Sequence, residues 1–234
     1  MPGDDYNVDS FTAFFEGWLL RQQQYLDELL TATRRHPDDA ADNGDLDDLI
    51  SRTLSHYEEY YEKKSRIAQR DIFLVFSPTW FTTYEQSLLW IGGFRPGLIF
   101  RLVNESINDM WDDQVLRIGR LREDVKVEER MLNNDLAKIQ EKVAAPPLLE
   151  FFRRQSHDGV TGGTEMEALK AAFQSVLASA DFLRRETALK VAEILTPAQT
   201  VRFLAAVAQL HLRIRACGLQ KDAERRDPGC GGVQ

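Results

Sequence analysis

Apolar side chains recur every three or four residues along most of the chain, which is the spacing that predicts amphipathic α-helices. The first such stretch runs from about Asp9 to Arg35, and His36-Pro37 ends it because the residue before a proline disfavours helical backbone angles. A second stretch begins at Asp45, a residue type favoured at helix N-caps, and Ser77-Pro78 interrupts its pattern. The first third of the chain is therefore predicted to form long helices.

The middle of the chain carries the signals of short helices. Thr82, followed three residues later by Glu85, matches a capping box, and the helix that it opens is expected to stop at Gly92-Gly93. Pro96 suits the first turn of another short helix that reaches about Asn108. The stretch from Ile72 to Phe100 is rich in aromatic and aliphatic residues without a polar face, so we expect it to form the buried centre of the fold.

Long helices return in the second half of the chain. An amphipathic stretch runs from Trp111 to Val143, and Pro146-Pro147 closes it. Thr164-x-x-Glu167 predicts a second capping box, and Thr196-Pro197-x-Gln199 caps a last helix that continues to about Gly218. The first of these helices keeps a seven-residue repeat at Ile118, Leu121, Val125, Leu132, Leu136, Ile139 and Val143.

No stretch sustains the alternation of apolar and polar residues that marks a strand, so the predicted class is all-α. Long helices joined by short loops bury their stripes against one another, which predicts a multi-helix bundle of long, roughly antiparallel amphipathic helices with a short-helix corner at Gly92-Gly93. We expect a single helical domain over residues 10–219, an N-terminal tail over 1–9 and a flexible C-terminal tail over 220–234. The seven-residue repeat also fits a homodimeric coiled coil, but stripes wider than a two-position seam favour packing within the chain.

The charge of the chain is negative and locally concentrated. Lysine and arginine number 29 against 37 acidic residues, which gives a formal net charge of −8. One segment near the end of the first predicted helix holds six aspartates without a basic residue: Asp38, Asp39, Asp42, Asp45, Asp47 and Asp48. Such a segment repels a phosphate backbone, so direct DNA binding is disfavoured.

The sequence favours the nucleus or the cytoplasm as the location of the protein. No apolar run approaches the roughly 18 residues of a membrane-spanning helix, and the first residues lack the basic and apolar parts of a secretory signal. The two cysteines, Cys217 and Cys230, lie close together near the C-terminus and do not form a disulfide framework, which favours a reducing compartment. We interpret Cys217 as a small buried apolar residue.

Each catalytic or metal-binding pattern fails at a particular position, so the chain is predicted not to be an enzyme. The glycine-rich loop from Ser156 to Gly163 is not followed by the G-K-[ST] of a phosphate loop. The acidic segment Asp39–Ile50 places Ala41 and Ile50 where a calcium loop needs carboxylates. No histidine stands in an H-E-x-x-H motif.

Two histidines lie within predicted helices and are candidates for ligand binding. His56 precedes a tyrosine cluster, and His211 lies along the Leu204–Ala208 stripe of the last helix. Either could ligate a haem iron if it faced a cavity. The alternative, a hydrogen-bonded histidine in the core or at its rim, is favoured.

Three stretches together resemble a known plant family: FTAFFEGWLLRQQQYLDELL at Phe11–Leu30, LSHYEEYYEKKSRIAQRDIF at Leu54–Phe73 and SPTWFTTYEQSLLWIGGFRPGLIFRLV at Ser77–Val103. They are similar to the Delay-of-Germination domain, which also forms the C-terminal half of the TGA class of bZIP transcription factors. The most specific part is Trp80, Glu85 and the run from Leu89 to Arg95. The resemblance extends over about residues 10 to 219 and keeps the order of the elements.

The resemblance implies a regulatory protein. Nothing basic and no leucine zipper precedes Phe11, so we expect a stand-alone Delay-of-Germination-like protein rather than a DNA-reading TGA factor. The family implies a role in seed dormancy, maturation and abscisic-acid responses through protein contacts, including type 2C protein phosphatases, and TGA domains imply contacts with transcriptional co-regulators. The family also implies a bound fatty-acyl chain or haem, although its haem-binding histidines do not align securely with His56 or His211.

The corner at Gly92-Gly93 also has a physical interpretation that does not depend on the resemblance. Gly92-Gly93 lets two short helices meet where a β-carbon would clash or a positive φ is needed, and Arg95 could bond the exposed carbonyls at the helix end. Trp80, Trp90 and Phe94 supply contact area there and, with the two histidines, are the candidate ligand-binding residues. A docking module without catalysis is the leading hypothesis. A small-ligand sensor, with an apolar pocket formed by Ile72–Phe100 and the Leu169–Leu183 stripe, is the alternative, and direct DNA binding is the third.

Overall fold

The computed structural model describes residues 2–35, 43–144 and 163–226, and the regular elements in these ranges are all α-helices. The prediction of an all-α bundle is confirmed. None of the described helices is long and apolar enough to cross a membrane. The described ranges contain eight helices: α1 Pro2–Arg35, α2 Asn43–Arg70, α3 Ile72–Phe76, α4 Thr83–Gln86, α5 Leu98–Ser106, α6 Asp112–Ala144, α7 Gly163–Ile194 and α8 Pro197–Arg226.

The long helices are longer than the apolar pattern predicts. α1 begins at Pro2 rather than Asp9, and α8 ends at Arg226 rather than near Gly218. Apolar spacing marks only the part of a helix that contacts the core. The helix can extend beyond that part because its backbone hydrogen bonds continue. Residues 156–162 of the predicted glycine-rich loop lie outside the described residues.

Two predicted N-caps are wrong because the helices begin earlier. α2 begins at Asn43, which places Asp45 in its first turn, where a carboxylate complements the positive end of the helix dipole. α7 begins at Gly163, so Thr164 lies inside the helix and not at its cap. The capping interaction predicted at the start of α8 is present: the Thr196 backbone N–H donates to Oε1 of Gln199 at 3.0 Å, and the Gln199 N–H donates to Thr196 Oγ1 at 3.3 Å.

The middle of the chain is broken up more than expected. Asp71 separates α2 from α3, because its side chain accepts hydrogen bonds from the backbone N–H groups of Phe73 and Leu74. The capping box predicted at Thr82 and Glu85 is present, but α4 ends at Gln86, well before the glycine pair. The stretch predicted to be the buried centre buries Ile72, Val75, Trp80, Ile91 and Phe100 but exposes Phe73, Leu88 and Leu98.

The core is built where the long helices meet. α6 packs along α7, and α1 packs along α8, with α2 also lying against α8. Four residues spaced seven apart on α6 are buried at these contacts: Ile118, Val125, Leu132 and Ile139. The seven-residue repeat therefore packs within the chain, and each fully buried aliphatic side chain stabilises the fold by about 1.5–3 kcal/mol.

Candidate functional site

An apolar chamber of about 190 Å³ lies between α1, α2, α7 and α8, and the segment between α4 and α5 forms another part of its wall. The wall is mainly aromatic and aliphatic, with Phe15, Trp18, Tyr57, Tyr60, Phe203 and Leu204 among its members. Pockets that hold drug-sized ligands measure roughly 300–1,000 Å³, so this chamber suits a smaller or more slender apolar molecule.

The glycine pair forms a tight turn beside the chamber. The Trp90 backbone N–H donates to the Gly93 carbonyl at 2.6 Å, and the Gly93 N–H donates back to Trp90 at 3.2 Å. Gly92 has a φ of +65°, which glycine adopts without strain. A β-carbon at Gly93 would lie 2.9 Å from Cζ of Arg184, so this position needs a glycine because a guanidinium passes against it.

Arg184 on α7 holds this turn from inside. It donates to the Phe94 carbonyl at 2.7 Å, to the Ile91 carbonyl at 2.9 Å and to the Trp90 carbonyl. The expectation that Arg95 bonds these carbonyls is therefore wrong. Arg95 points instead to α6, where its Nε is 2.7 Å from Oε2 of buried Glu129.

Glu85 joins the capping box of α4 to α8. Its carboxylate accepts from the Thr82 N–H and the Thr82 hydroxyl, both at 2.7 Å, and from Nη1 of Arg215 at 2.8 Å. Arg215 also donates to the Trp80 carbonyl at 3.0 Å. Because Glu85 is only 4% exposed, these hydrogen bonds satisfy a carboxylate that would otherwise be costly to bury.

The two candidate histidines occupy different places. His211 lies in the chamber wall, with its ring stacked on Phe94 at 5.3 Å between centroids. His56 lies between Trp18 at 4.6 Å and Tyr25 at 4.9 Å and does not line the chamber. Tyr57 contacts both histidine rings, at 6.0 Å and 5.8 Å, and so lies between them.

Both imidazoles are held in the neutral form. Burial lowers the pKa of His56 to about 4, with a further contribution from the positive charge of Arg21. Burial alone lowers the pKa of His211 to about 4. The Nε2 atom of His56 is buried and has no hydrogen-bond partner within the described part of the chain, which fits an uncharged ring.

These pKa values predict a loss of stability in mild acid. Each histidine has a folded pKa near 4 against 6.5 in the unfolded chain, so between these values the unfolded chain binds more protons. The free energy of unfolding should therefore fall as the pH drops below 6.5, by about 1–2 kcal/mol per histidine at about pH 5. Urea denaturation at neutral pH and at about pH 5 measures this change in the free energy of unfolding.

A double variant, His56→Gln with His211→Gln, provides the control. Glutamine does not titrate, so the remaining acid sensitivity of this variant comes from carboxylates and from the two other histidines, His36 and His157. If the variant and the parent lose the same stability between neutral pH and about pH 5, the two rings are not held neutral by burial.

The chamber does not fit haem. Only one of the two candidate histidines, His211, lies in its wall, and Tyr57 separates that ring from His56. The volume of about 190 Å³ is also small for a broad, flat macrocycle with two propionates. A single slender apolar chain matches the volume and the apolar wall better.

The other predicted site residues divide between the chamber and the core. Gly93, Phe94, Arg95 and Glu85 line the chamber together with His211. Trp80 packs on Phe11 in the core, with 4.3 Å between ring centroids, and Gly92 lies within the turn on the side of Val75 and Leu177. The Trp90 indole N–H donates to Asn133 on α6 at 2.8 Å. Cys217, expected to be buried, is exposed on α8.

Sequence reasoning missed two charged residues that line the chamber, Lys64 and Arg184. It also missed three residues that form ion pairs with lining residues: Glu129, Asp181 and Arg215. The sequence pattern could have indicated Lys64 and Arg184. Lys64 and Arg184 stand at positions of apolar stripes, four residues after Tyr60 and Ala180 respectively, where a charged side chain is out of place unless it is paired.

The fold and its interior define the chain as a helical-bundle protein with an apolar chamber framed by buried ion pairs. Residues 25–105 match the family model described as DOG1, seed dormancy control. The chain is 36% identical to the Arabidopsis thaliana Protein RESPONSE TO ABA AND SALT 1, over 92% of this chain and 96% of that protein. It belongs to the DOG1, or seed dormancy control, family, as its resemblance to the Delay-of-Germination domain predicted.

Further relatives are plant proteins, and one of them is a transcription factor. The chain is 36% identical to Protein ZW2 of Arabidopsis thaliana, over 90% of this chain and 97% of that protein. Transcription factor TGA7 of the same plant is 29% identical over 94% of this chain, but the match spans 59% of the factor. These relationships support a regulatory role in a plant cell, and the TGA relatives associate that role with transcription.

Proposed function

We propose that this protein is a non-enzymatic regulator that acts in the nucleus or cytoplasm of plant cells through protein contacts, in abscisic-acid responses and seed dormancy or maturation. Its near full-length relationship to a protein named for the response to abscisic acid and salt is the observation that carries the proposal. Type 2C protein phosphatases and transcriptional co-regulators are the partners that the family resemblance favours.

An exposed apolar face on α6 is our candidate for the contact surface. Leu116, Val127 and Met131 lie on one side of this helix, because eleven residues make about three turns and four more make about one. Their exposed fractions are 52%, 50% and 54%. Val127 and Met131 are neighbours one turn apart, and Leu116 lies about three turns before them. Exposed large apolar side chains that share one side of a helix can anchor a protein contact.

The test is a triple variant, Leu116→Glu, Val127→Glu and Met131→Glu, titrated against a type 2C phosphatase of the abscisic-acid pathway and against a TGA co-regulator. We expect affinity for at least one of them to fall about tenfold or more, since buried apolar anchors dominate binding energy at interfaces. Stability should change little, because all three positions are exposed.

A matched control changes exposed apolar residues elsewhere. Leu20 on α1 and Leu219 on α8 are 71% and 52% exposed, and Leu20→Glu with Leu219→Glu should leave binding unchanged. Equal losses in both variants would show a general effect of added negative charge. No measurable affinity of the parent chain for either partner class would overturn the proposal.

A second candidate function is the binding of a slender apolar ligand in the chamber, and the apolar wall is the observation that favours it. A fatty-acyl chain is the ligand class that the family resemblance favours. Each methylene group transferred from water into such a wall contributes about 0.8 kcal/mol, so a short chain is enough for measurable affinity.

Organic extraction of the purified protein followed by mass spectrometry tests this second function. Ala188→Phe provides the control, because Ala188 lines the chamber and the larger ring would fill part of it. We expect extracted aliphatic ligand from the parent and much less from the variant. Equal recovery from both would place the ligand outside the chamber.

A further inference from the structure

A buried lysine in the chamber wall shares its counter-ion with a second cation. The Lys64 side chain is 1% exposed, and its Nζ lies 2.7 Å from Oδ1 of Asp181. The same oxygen is 2.5 Å from Nη1 of Arg184, whose side chain is 6% exposed. Two buried cations thus share one carboxylate, and the nearby Glu58 is itself paired with Arg185 at 2.6 Å.

This arrangement increases the share of Lys64 that is a neutral amine. A guanidinium does not lose its proton in proteins, so the excess positive charge of the cluster is relieved only at Lys64. Burial lowers the pKa of the Lys64 ammonium to about 8, the carboxylate of Asp181 opposes this, and the positive charge of Arg184 adds to it. At neutral pH a far larger share of this side chain is therefore a free amine than for an exposed lysine.

We propose that Lys64 is a covalent attachment site for a small apolar aldehyde, which occupies the chamber and forms a Schiff base with Nζ. Desolvation and a neighbouring cation are the two settings that turn lysine into a nucleophile toward carbonyl groups, and Lys64 has both. The apolar wall selects an aliphatic or aromatic body behind the carbonyl group. The inference rests on the proposed binding of apolar ligands in this chamber.

The chemical step balances without another reactant. The Lys64 ammonium releases its proton to solvent, which leaves Asp181 ionised beside Arg184. The nitrogen lone pair attacks the carbonyl carbon, and one proton passes from this nitrogen to the carbonyl oxygen. The resulting carbinolamine then expels its oxygen as water, and a carbon–nitrogen double bond forms. Protonation of the imine nitrogen restores a cation beside Asp181, so the ion pair persists in the product.

Reductive trapping tests the proposal. The full chain is incubated at about pH 7 with n-octanal and sodium cyanoborohydride, and the modified lysines are located by peptide mass spectrometry. We expect octylation of Lys64 about tenfold or more faster than that of exposed Lys126 and Lys138, since each unit by which the pKa falls gives about ten times more free amine. Glyoxylate, a charged aldehyde, should instead label the exposed lysines.

Two variants test whether labelling depends on the Lys64 amine and on the space in the chamber. Lys64→Arg keeps a cation beside Asp181 but cannot form an imine, so labelling at this site is lost while the exposed lysines react as before. Ala188→Phe keeps Lys64 but narrows the chamber, and labelling of Lys64 should fall severalfold. Octanal labelling that is even across all lysines, or unaffected by Ala188→Phe, would overturn the inference.

The failure of this inference is distinguishable from the failure of ligand binding. Octan-1-ol has the same chain without the carbonyl group, and its binding is followed through the intrinsic tryptophan fluorescence of the parent chain. If octan-1-ol binds and octanal is not trapped at Lys64, the chamber binds apolar ligands and the covalent step is wrong. If octan-1-ol does not bind, both proposals fail.

Discussion

Replacing Arg184 with methionine should lower the free energy of unfolding by about 3–5 kcal/mol, the range found when one partner of a buried ion pair is removed. Its guanidinium bonds the carbonyls of Trp90, Ile91 and Phe94 as well as the carboxylate of Asp181. Each buried carbonyl that loses its donor costs about 1–3 kcal/mol, and methionine supplies no donor. Lys64 still pairs with Asp181, which keeps the loss from being larger.

Urea denaturation measures this effect, and the midpoint should fall while the slope stays constant. Arg185→Met is the matched control, because the neighbouring arginine is 41% exposed and its pair with Glu58 contributes about 0–1 kcal/mol. Arg184→Lys should also destabilise the fold, since an ammonium cannot reproduce a fork that bonds several oxygens. Similar losses for Arg184→Met and Arg185→Met would show that Arg184 does not hold the turn.

Replacing Gly218 with alanine should destabilise the protein by about 2 kcal/mol, although alanine is the better helix former. The added β-carbon would lie 2.0 Å from Oγ1 and 2.8 Å from Cβ of Thr82. Thr82 cannot rotate away without loss, because its hydroxyl accepts from the Glu85 N–H and donates to the Glu85 carboxylate. The clash therefore forces α8 away from the α4 capping box.

Gly119→Ala is the control for this prediction. Gly119 lies within α6 with nothing within 4 Å of an added β-carbon, so alanine should stabilise the protein by about 0.5–1 kcal/mol. Thr82→Gly removes the clashing atoms and should recover part of the loss in the Gly218→Ala background. Thermal unfolding compares the parent, Gly218→Ala, Gly119→Ala and the double variant Thr82→Gly with Gly218→Ala. Stabilisation by Gly218→Ala would show that α8 does not pack this closely against Thr82.

Both predictions concern the contacts that shape the chamber, and they bear on its proposed use. The turn at Gly92 and Gly93 forms part of the wall only because Arg184 holds its carbonyls from α7. Arg184 also shares Asp181 with Lys64, so one arginine links the shape of the chamber to the protonation state of its amine. A change that disturbs the turn should therefore also alter the reactivity of Lys64.

The helices and their order were predictable from the sequence because local signals specify them. Apolar spacing placed α6, and capping residues placed the starts of α4 and α8. The break at Asp71 was missed because one polar residue inside a continuing apolar pattern looks like a solvated position until its side chain is seen to cap α3. A tight turn at the glycine pair was predicted correctly, but the two short helices expected to meet there end at Gln86 and begin at Leu98. The prediction that Arg95 bonds the carbonyls of this turn was also wrong, because Arg184 does so.

The sequence by itself determined that this chain is an all-α bundle of the DOG1 family, since spacing, capping and motif are properties of neighbouring residues. Only the tertiary structure decided that His56 and His211 lie apart, that Arg184 rather than Arg95 holds the turn, and that Lys64 and Arg184 share one carboxylate. The physical reason is distance along the chain. Lys64 and Asp181 are 117 residues apart, and no local pattern records which buried charges meet when helices pack.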